Sequence, residues 1–369
     1  MPKWFGSDWS RAELTKRVGD VAQVAGISRL AYTEGPERGV EVLRFRTGSG
    51  LDFDLLPGRG LDLGQASYNG RPLAWASPTG VVHAAHYEPE GLGWLRGFGG
   101  GLLVTCGLTN AGAPGEDPAA TGPGGAPTEV PGNVRLGLHG RASYTQARAV
   151  AADCAWEGDD YLLYAQGRVR EAIVFGEHVE LLRRVQAKAG KSKINIVDEV
   201  TNHGHQSVPH MLLYHCNLGW PLLSEHSRLV VSGGEPEPRD EAAEAGIGEW
   251  NIGGPPEADY PEQVFYHTTI PDERGSCQAA LYNEQMGLGL GLRWRAAELD
   301  QFAQWKVLAR GTYVCGLEPA NCRVGGRAEE REAGRLKHLE PGQTVQYVLS
   351  LEVLDGPAAM AAFEQECAR

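Results

Sequence analysis

No CxxC occurs among the seven cysteines of this 369-residue chain, and no GxxxxGKS/T loop is present. The glycine-dense run Phe98-Gly99-Gly100-Gly101-Leu102 does not form the GxGxxG that opens a helix, so nucleotide binding has no support. No apolar run approaches the ~18 residues that a membrane-spanning helix needs. The chain also lacks an excess of basic charge. Its net charge of −13 argues against nucleic acid as partner, which requires a basic face. No apolar stretch with a small-residue cleavage site follows Met1-Pro2-Lys3-Trp4-Phe5-Gly6, so no signal peptide is expected. The cysteines are Cys106, Cys154, Cys216, Cys277, Cys315, Cys322 and Cys367, an odd count lying mostly in apolar, strand-like surroundings. Free cysteine behaves there as a small hydrophobe, and the pattern suits a reducing, cytoplasmic setting. These absences leave a neutral small molecule as the expected partner, with no membrane and no nucleic acid.

What the chain does have is turn chemistry and short strands. It carries 50 Gly and 22 Pro, and its 42% hydrophobic and 22% charged content is ordinary for a globular protein. Segments 30–33, 40–45 and 51–56 alternate apolar and polar residues with period two. Asn69-Gly70 has the type I′ hairpin signature. Further strands are expected at 161–170, 179–187, 193–201, 208–216, 227–231, 263–270, 277–283, 287–294, 312–317 and 344–353. A helix is expected within 8–25, capped by Asp8 or Ser10, and another at 357–367. Gly/Pro-rich 111–132 and polar 233–260 read as long surface loops, a length that is often functional. Similar strand signal resumes on both sides of each loop and no internal repeat is visible. A single domain over 1–369 is expected, with 1–25 as an N-terminal helical extension. Regular short strands between turns predict a β-sandwich or barrel.

Glu318 is the most informative residue. The run Thr312-Tyr313-Val314-Cys315-Gly316-Leu317 delivers it, and Pro319 is expected to end that strand. A carboxylate at the end of a buried strand is costly unless it is hydrogen-bonded or used chemically. Either a structural, amide-capped role or an acid/base role follows. His139 lies between Gly137 and Gly140, which would let backbone approach a ligand closely. Otherwise it is a turn histidine bonded to a carbonyl. His210 and His215 are five apart on one strand and so face opposite sides, which argues against a shared metal. His215 opens a polar strand exit with Asn217 and Gly219. His203-Gly204-His205 sits in a polar turn and reads as a solvated hairpin tip rather than a metal pair. Arg59 either binds a ligand hydroxyl or pairs with Asp62. Lys306 is a polar contact or a solvated cation. Trp94, Trp220 and Trp305 lie near the polar strings and suit either stacking on a sugar ring or core packing.

Five strings together resemble the galactose mutarotase-like (aldose 1-epimerase) superfamily, and more narrowly a bacterial branch of it. They are Leu56-Pro57-x-Arg59-Gly60-Leu61-Asp62, Gly100-Gly101-Leu102-Leu103-x-Thr105-Cys106-Gly107-Leu108, Leu138-His139-Gly140-Arg141, Leu213-Tyr214-His215-x-Asn217-x-Gly219-x-Pro221-Leu222-Leu223 and Gly316-Leu317-Glu318-Pro319-Ala320-Asn321. They span most of the chain in order. The resemblance implies a mainly β fold, a large antiparallel β-supersandwich with a sugar cleft on one sheet. It implies Glu318, His215 and His139 as the acid/base set, with no metal or other cofactor. Arg59, Asp62, Arg141, Asn217, Lys306 and Asn321 are the expected substrate contacts. A homodimer is compatible with it. The superfamily's Asn-Gly-Arg-x-x-Asn-Arg string is absent, and its sugar-binding Asp has no counterpart, Asp259 being badly placed.

The implied activity is anomer exchange of an aldose or modified sugar. Glu318 takes the proton of the anomeric hydroxyl, His215 protonates the ring oxygen, and His139 holds the carbonyl oxygen or its neighbour. Two other readings remain: lyase or isomerase chemistry on a keto- or uronic-type sugar, and carbohydrate binding without catalysis.

Overall fold

The computed structural model describes residues 2–4, 6–118 and 133–368. The expected β-rich architecture is met. One sheet of eight strands runs β11 (Arg148–Glu157), β12 (Asp160–Ala172), β13 (His178–Lys188), β14 (Lys193–Asn202), β24 (Thr344–Asp355), β20 (Leu288–Arg295), β19 (Ser276–Asn283) and β16 (Ser227–Val231). A second runs β17 (Glu237–Pro238), β18 (Gln263–Tyr266), β21 (Gln301–Ala309), β22 (Thr312–Ala320), β15 (Val208–Gly219) and β23 (Lys337–Leu339). Strand β8 (Val104–Leu108) also pairs with β15. A third sheet is the meander β3 (Gly26–Ala31), β4 (Glu41–Arg46), β5 (Leu51–Leu56), β6 (Asp62–Tyr68) and β7 (Arg71–Pro72). Two ribbons complete the set: β1 (Lys3–Trp4) with β2 (Ser7–Asp8), and β9 (Gly115–Pro118) with β10 (Asn133–Leu136).

Burial explains the two kinds of strand. Along β12, Leu163, Ala165 and Val169 are buried while Tyr164, Arg168 and Arg170 are exposed. That alternation marks a sheet with one face on the core and one in water. Strand β15 is buried almost throughout. Its Leu212, Tyr214, Cys216 and Leu218 join the main core, while Met211 and Leu213 join a second apolar cluster. His215 shares the parity of that second set, so it projects from the opposite face of the sheet. Between the sheets, Arg183 is held by Asp198 at 2.7 Å and Asp62 at 3.2 Å, and Tyr214 donates to Asp198 at 2.6 Å. A buried cation of this kind is tolerable only when paired in this way.

Several boundaries differ from expectation. Segment 8–25 holds only α1 (Arg11–Thr15) and a 3₁₀ turn at Val21–Gln23. Ser10 caps the first, and the Asp20 side chain caps the second after Gly19 has interrupted the helix. Glu318 is not at a strand end, because β22 continues to Ala320. Pro319 is tolerated there because the β15–β22 ladder skips from Leu213↔Ala320 to Cys216↔Leu317. Its missing N–H thus falls in a gap of the ladder. Segment 233–260 contains β17 and the short α2 (Glu241–Ala245) rather than loop alone. Of the expected loop 111–132, residues 119–132 lie outside the described residues. The hairpin at Asn69-Gly70 is as expected, with both φ positive and Tyr68 paired to Arg71. The helix expected at 357–367 is α3 (Pro357–Cys367). Among the described residues, no helix is long and apolar enough to cross a membrane.

Candidate active site

The register of β15 against β22 sets His215 opposite Glu318 in the gap of the ladder. Their side chains leave the same face, and His215 Nε2 lies 3.1 Å from Glu318 Oε1. Both residues are buried, at 5% and 2% exposure. Neither Glu318 Oε1 nor His215 Nδ1 has an aligned hydrogen-bond partner. Buried polar atoms without partners are rare, and they mark a place where a ligand can bond.

Gly316 makes the room for this pair. A Cβ there would stand 2.8 Å from Glu318 Oε1, 3.0 Å from Trp305 Cβ and 3.3 Å from His215 Cε1. Gly316→Ala is therefore expected to displace the carboxylate while leaving the strand intact. A misplacement of about 1 Å costs on the order of 10²-fold in rate. Turnover and melting temperature measured together check this: turnover should fall by about that factor while the fold persists.

His139 arrives from another part of the chain. It follows β10 and has φ of +56°, a conformation rare for a residue with a Cβ. Its ring lies 5.7 Å from that of His215 and 4.8 Å from that of Trp94. The Gly112 N–H donates to His139 Nδ1 at 3.3 Å, so the neutral ring carries its proton on Nε2. Gly137 and Gly140 pack closely against neighbouring backbone. A Cβ at Gly137 would meet Pro89 O at 2.0 Å, and one at Gly140 would meet Asn110 O at 2.3 Å. These glycines serve close backbone packing around the histidine.

These three residues line a cavity of about 380 Å³. Trp94, Phe98 and Trp305 form part of its wall, and Trp305 stands edge-on to His215 with ring centres 5.2 Å apart. Two charged residues that sequence reasoning missed also line it: Arg239 and Glu262. Glu262 accepts from Trp305 Nε1 at 2.8 Å and from Arg239 Nη2 at 2.9 Å. Arg239 also donates to Asp240 at 2.7 Å. Arg239 lay in a stretch read as loop, and Glu262 stands three residues beyond Asp259.

Burial governs the charges. It pushes the Glu318 carboxyl up to about 8, with the Glu262 carboxylate adding to the rise and Arg239 opposing it. Burial lowers His215 to about 3, helped by His139 and opposed by the Asn217 side chain. Burial alone lowers His139 to about 4. At neutral pH the site thus holds a protonated Glu318 beside two neutral imidazoles.

The six expected substrate contacts do not line this cavity. Arg59 donates to the carbonyls of Ser143, Val82 and Gly97 and packs on the Tyr144 ring. Asp62 accepts from Thr105 and pairs with Arg183. Arg141 faces a neighbouring cavity, 3.9 Å from Glu171. Asn217 donates to the carbonyls of Gly101 and His215 and so props the histidine strand. Lys306 alternates with Trp305 and points the other way, donating to Glu249 O at 2.6 Å. Asn321 accepts from Leu212 N and donates to Tyr347 Oη. Apart from Arg141, each binds the scaffold, because a buried polar group must be paired somewhere. His210 is likewise committed, to Leu108 O and Tyr347 Oη. His203 and His205 are exposed in the β14–β15 turn, as expected. Trp220 is 71% exposed and takes no part in the cavity.

Comparison with known proteins gives a family and a fold. The model described as Domain of unknown function (DUF4432) matches residues 37–353. No curated protein matches the chain. A candidate aldose 1-epimerase from Klebsiella pneumoniae is similar at 27% identity and TM-score 0.84, with 92% of this chain and 86% of that one covered. A galactose mutarotase-like protein from Clostridium acetobutylicum is similar at 12% identity and TM-score 0.61, covering 90% and 99% of the two chains. A galactose 1-epimerase from Lactobacillus acidophilus is similar at 11% identity and TM-score 0.56, again covering 90% and 99%. The last two likenesses show the fold alone. The fold is that of the galactose mutarotase-like sandwich.

Proposed function

We propose that this chain, which belongs to the DUF4432 family, is a sugar-binding isomerase of the aldose 1-epimerase type that exchanges anomers of a reducing sugar. The observation that carries this is the Glu318–His215 pair, 3.1 Å apart, buried, and open to a sugar-sized cavity. Opening a hemiacetal moves one proton off the anomeric hydroxyl and one onto the ring oxygen. The pair holds the single proton this needs, resting on Glu318. Passing it across the gap gives a carboxylate and an imidazolium. Glu318 then accepts the anomeric proton. The C1–O5 bond breaks, its electron pair stays on the ring oxygen, and His215 protonates that oxygen. His139 Nε2–H donates to the forming carbonyl oxygen, where negative charge gathers. Rotation about C1–C2 and reversal of these steps give the other anomer. Glu262 is placed to accept a bond from a ring hydroxyl.

The pH dependence follows with its sign. Above about 8 Glu318 loses the shared proton, and below about 4 the imidazoles gain extra ones. The expected kcat/KM profile is a bell with a plateau between those limits. A profile flat from pH 6 to pH 10 would contradict the pair's role. The cavity's charge also weighs against a uronic-type substrate. Among the described residues Arg239 is the Arg or Lys lining it, and it is already bonded to Glu262 and Asp240.

A further inference from the structure

We infer that Tyr144 and Tyr87 are positioning residues: as a stacked pair they clamp Trp94 and the His139 turn together, and so hold the His139 ring at the angle the cavity needs. This rests on the mutarotase reading and adds to it two side chains that act through His139 rather than on the sugar.

Neither phenol lines the cavity. Their rings stack outside it, with centres 4.4 Å apart and planes 18° from parallel. Each hydroxyl reaches a different wall. Tyr144 Oη donates to Trp94 O at 2.6 Å, and Tyr87 Oη donates to Gly140 O at 2.9 Å, one residue beyond His139. Trp94 and His139 both line the cavity, and their rings meet with centres 4.8 Å apart. The stack sets the separation of the two anchored carbonyls, and those carbonyls belong to the segments that carry the two rings.

Arg59 ties the clamp to the scaffold. Its guanidinium lies over the Tyr144 ring at 4.1 Å, a contact that gains strength when desolvated. It donates to Ser143 O at 2.8 Å, next to the tyrosine. It also donates to Gly97 O at 3.2 Å, in the 3₁₀ turn Gly93–Gly97 that carries Trp94. The fit is tight, since a Cβ at Gly97 would stand 2.8 Å from Tyr144 Oη. His139 has reason to need such support. Its φ of +56° persists only where the surroundings over-determine it. The Gly112 N–H, bonded to Nδ1, sets which nitrogen carries the proton, and the Trp94 face sets the tilt of the ring.

The test removes each hydroxyl and keeps each ring: Tyr144→Phe and Tyr87→Phe, in the full-length protein and again combined with His139→Asn. Anomer exchange is read by magnetisation-transfer NMR over a panel of reducing sugars (glucose, galactose, ribose and their deoxy counterparts). Affinity is read by calorimetry, and the imidazole signals by NMR of protein labelled at histidine. Each single variant is expected to lose about tenfold in kcat/KM, with affinity and kcat both falling, as for His139 itself and unlike His215. In the His139→Asn background the same substitutions should cost under about twofold more, because the ring they hold is gone. The His139 ring signals, identified by their loss in His139→Asn, should move in both variants while those of His203 and His205 stay. If the losses multiply in full in the double variants, the tyrosines serve the fold alone and the inference is overturned. Unmoved His139 signals overturn it as well, whatever the rates. If the parent protein exchanges no sugar, the mutarotase reading falls and the ring signals alone decide the positioning role. Should Tyr144→Phe fail to fold, Tyr87→Phe, at a half-buried ring, carries the same readouts.

Discussion

Glu318→Gln is expected to lower anomer exchange by about 10³–10⁴-fold, the upper part of the range for a general acid–base group. The side chain keeps its shape and a bonding amide, so the cavity and the ladder around it persist. What is lost is the ability to hold and release a proton beside His215, 3.1 Å away. The same variant should show an opposite effect on stability. The folded-state pKa of Glu318 lies near 8, above its usual 4.5. The folded protein therefore holds a proton that the unfolded chain has released. The contribution is fully present below about 4.5 and is lost as pH rises toward 8, at about 1.4 kcal/mol per pH unit. Glutamine carries no such slope. Melting curves at pH 5 and pH 9 should show the variant gaining on the parent at the higher pH. Unchanged exchange rates would remove Glu318 from the chemistry. A variant with the parent's loss of stability between pH 5 and 9 would contradict its buried, protonated state.

The second large effect is at His215. His215→Asn should lower kcat by ~10²–10⁴-fold with little change in sugar affinity. The ring exchanges a proton with Glu318 and the ring oxygen, and it contributes little else to binding. His139→Asn should behave differently. His139 is a neutral donor, held with its proton on Nε2 by the Gly112 N–H. Its loss should weaken both affinity and rate, because it bonds an oxygen in the ground state as well as in the transition state. The exposed His203 and His205 serve as controls and should be nearly silent. If a control proves as damaging as His215 with the fold intact, the chemistry lies elsewhere.

The three residues at the cavity floor were legible because each stood in a strand-like string whose polarity was out of place. Period-two patterning also gave most strands of the eight-stranded sheet, where one face is wet. It failed for β21, whose Gln301, Gln304 and Lys306 read as polar yet are partly or wholly buried against specific partners. It also failed for the end of β22. A proline signals the end of a strand locally, and only the neighbouring strand's ladder shows that the gap is tolerated. The expected substrate contacts lie outside this cavity for a related reason. Arg59, Asp62, Asn217 and Asn321 stand in glycine-rich or apolar strings just as His139 and His215 do. Sequence cannot say whether the partner of a buried polar group is a ligand or a carbonyl. Alternation could have separated Trp305 from Lys306, since adjacent strand residues cannot both face the cleft. Arg239 and Glu262 carry no local signal. They meet in the cavity because β17 and β18 pair beside β21.

The most direct test of the account is magnetisation transfer between anomeric signals, run in D₂O with the sugar panel and catalytic amounts of protein. Proton traffic confined to oxygen predicts faster exchange between α and β anomers, with every carbon-bound hydrogen retained. Deuterium entering at C2, an eliminated product, or anomer exchange no faster than in buffer for every sugar would contradict it.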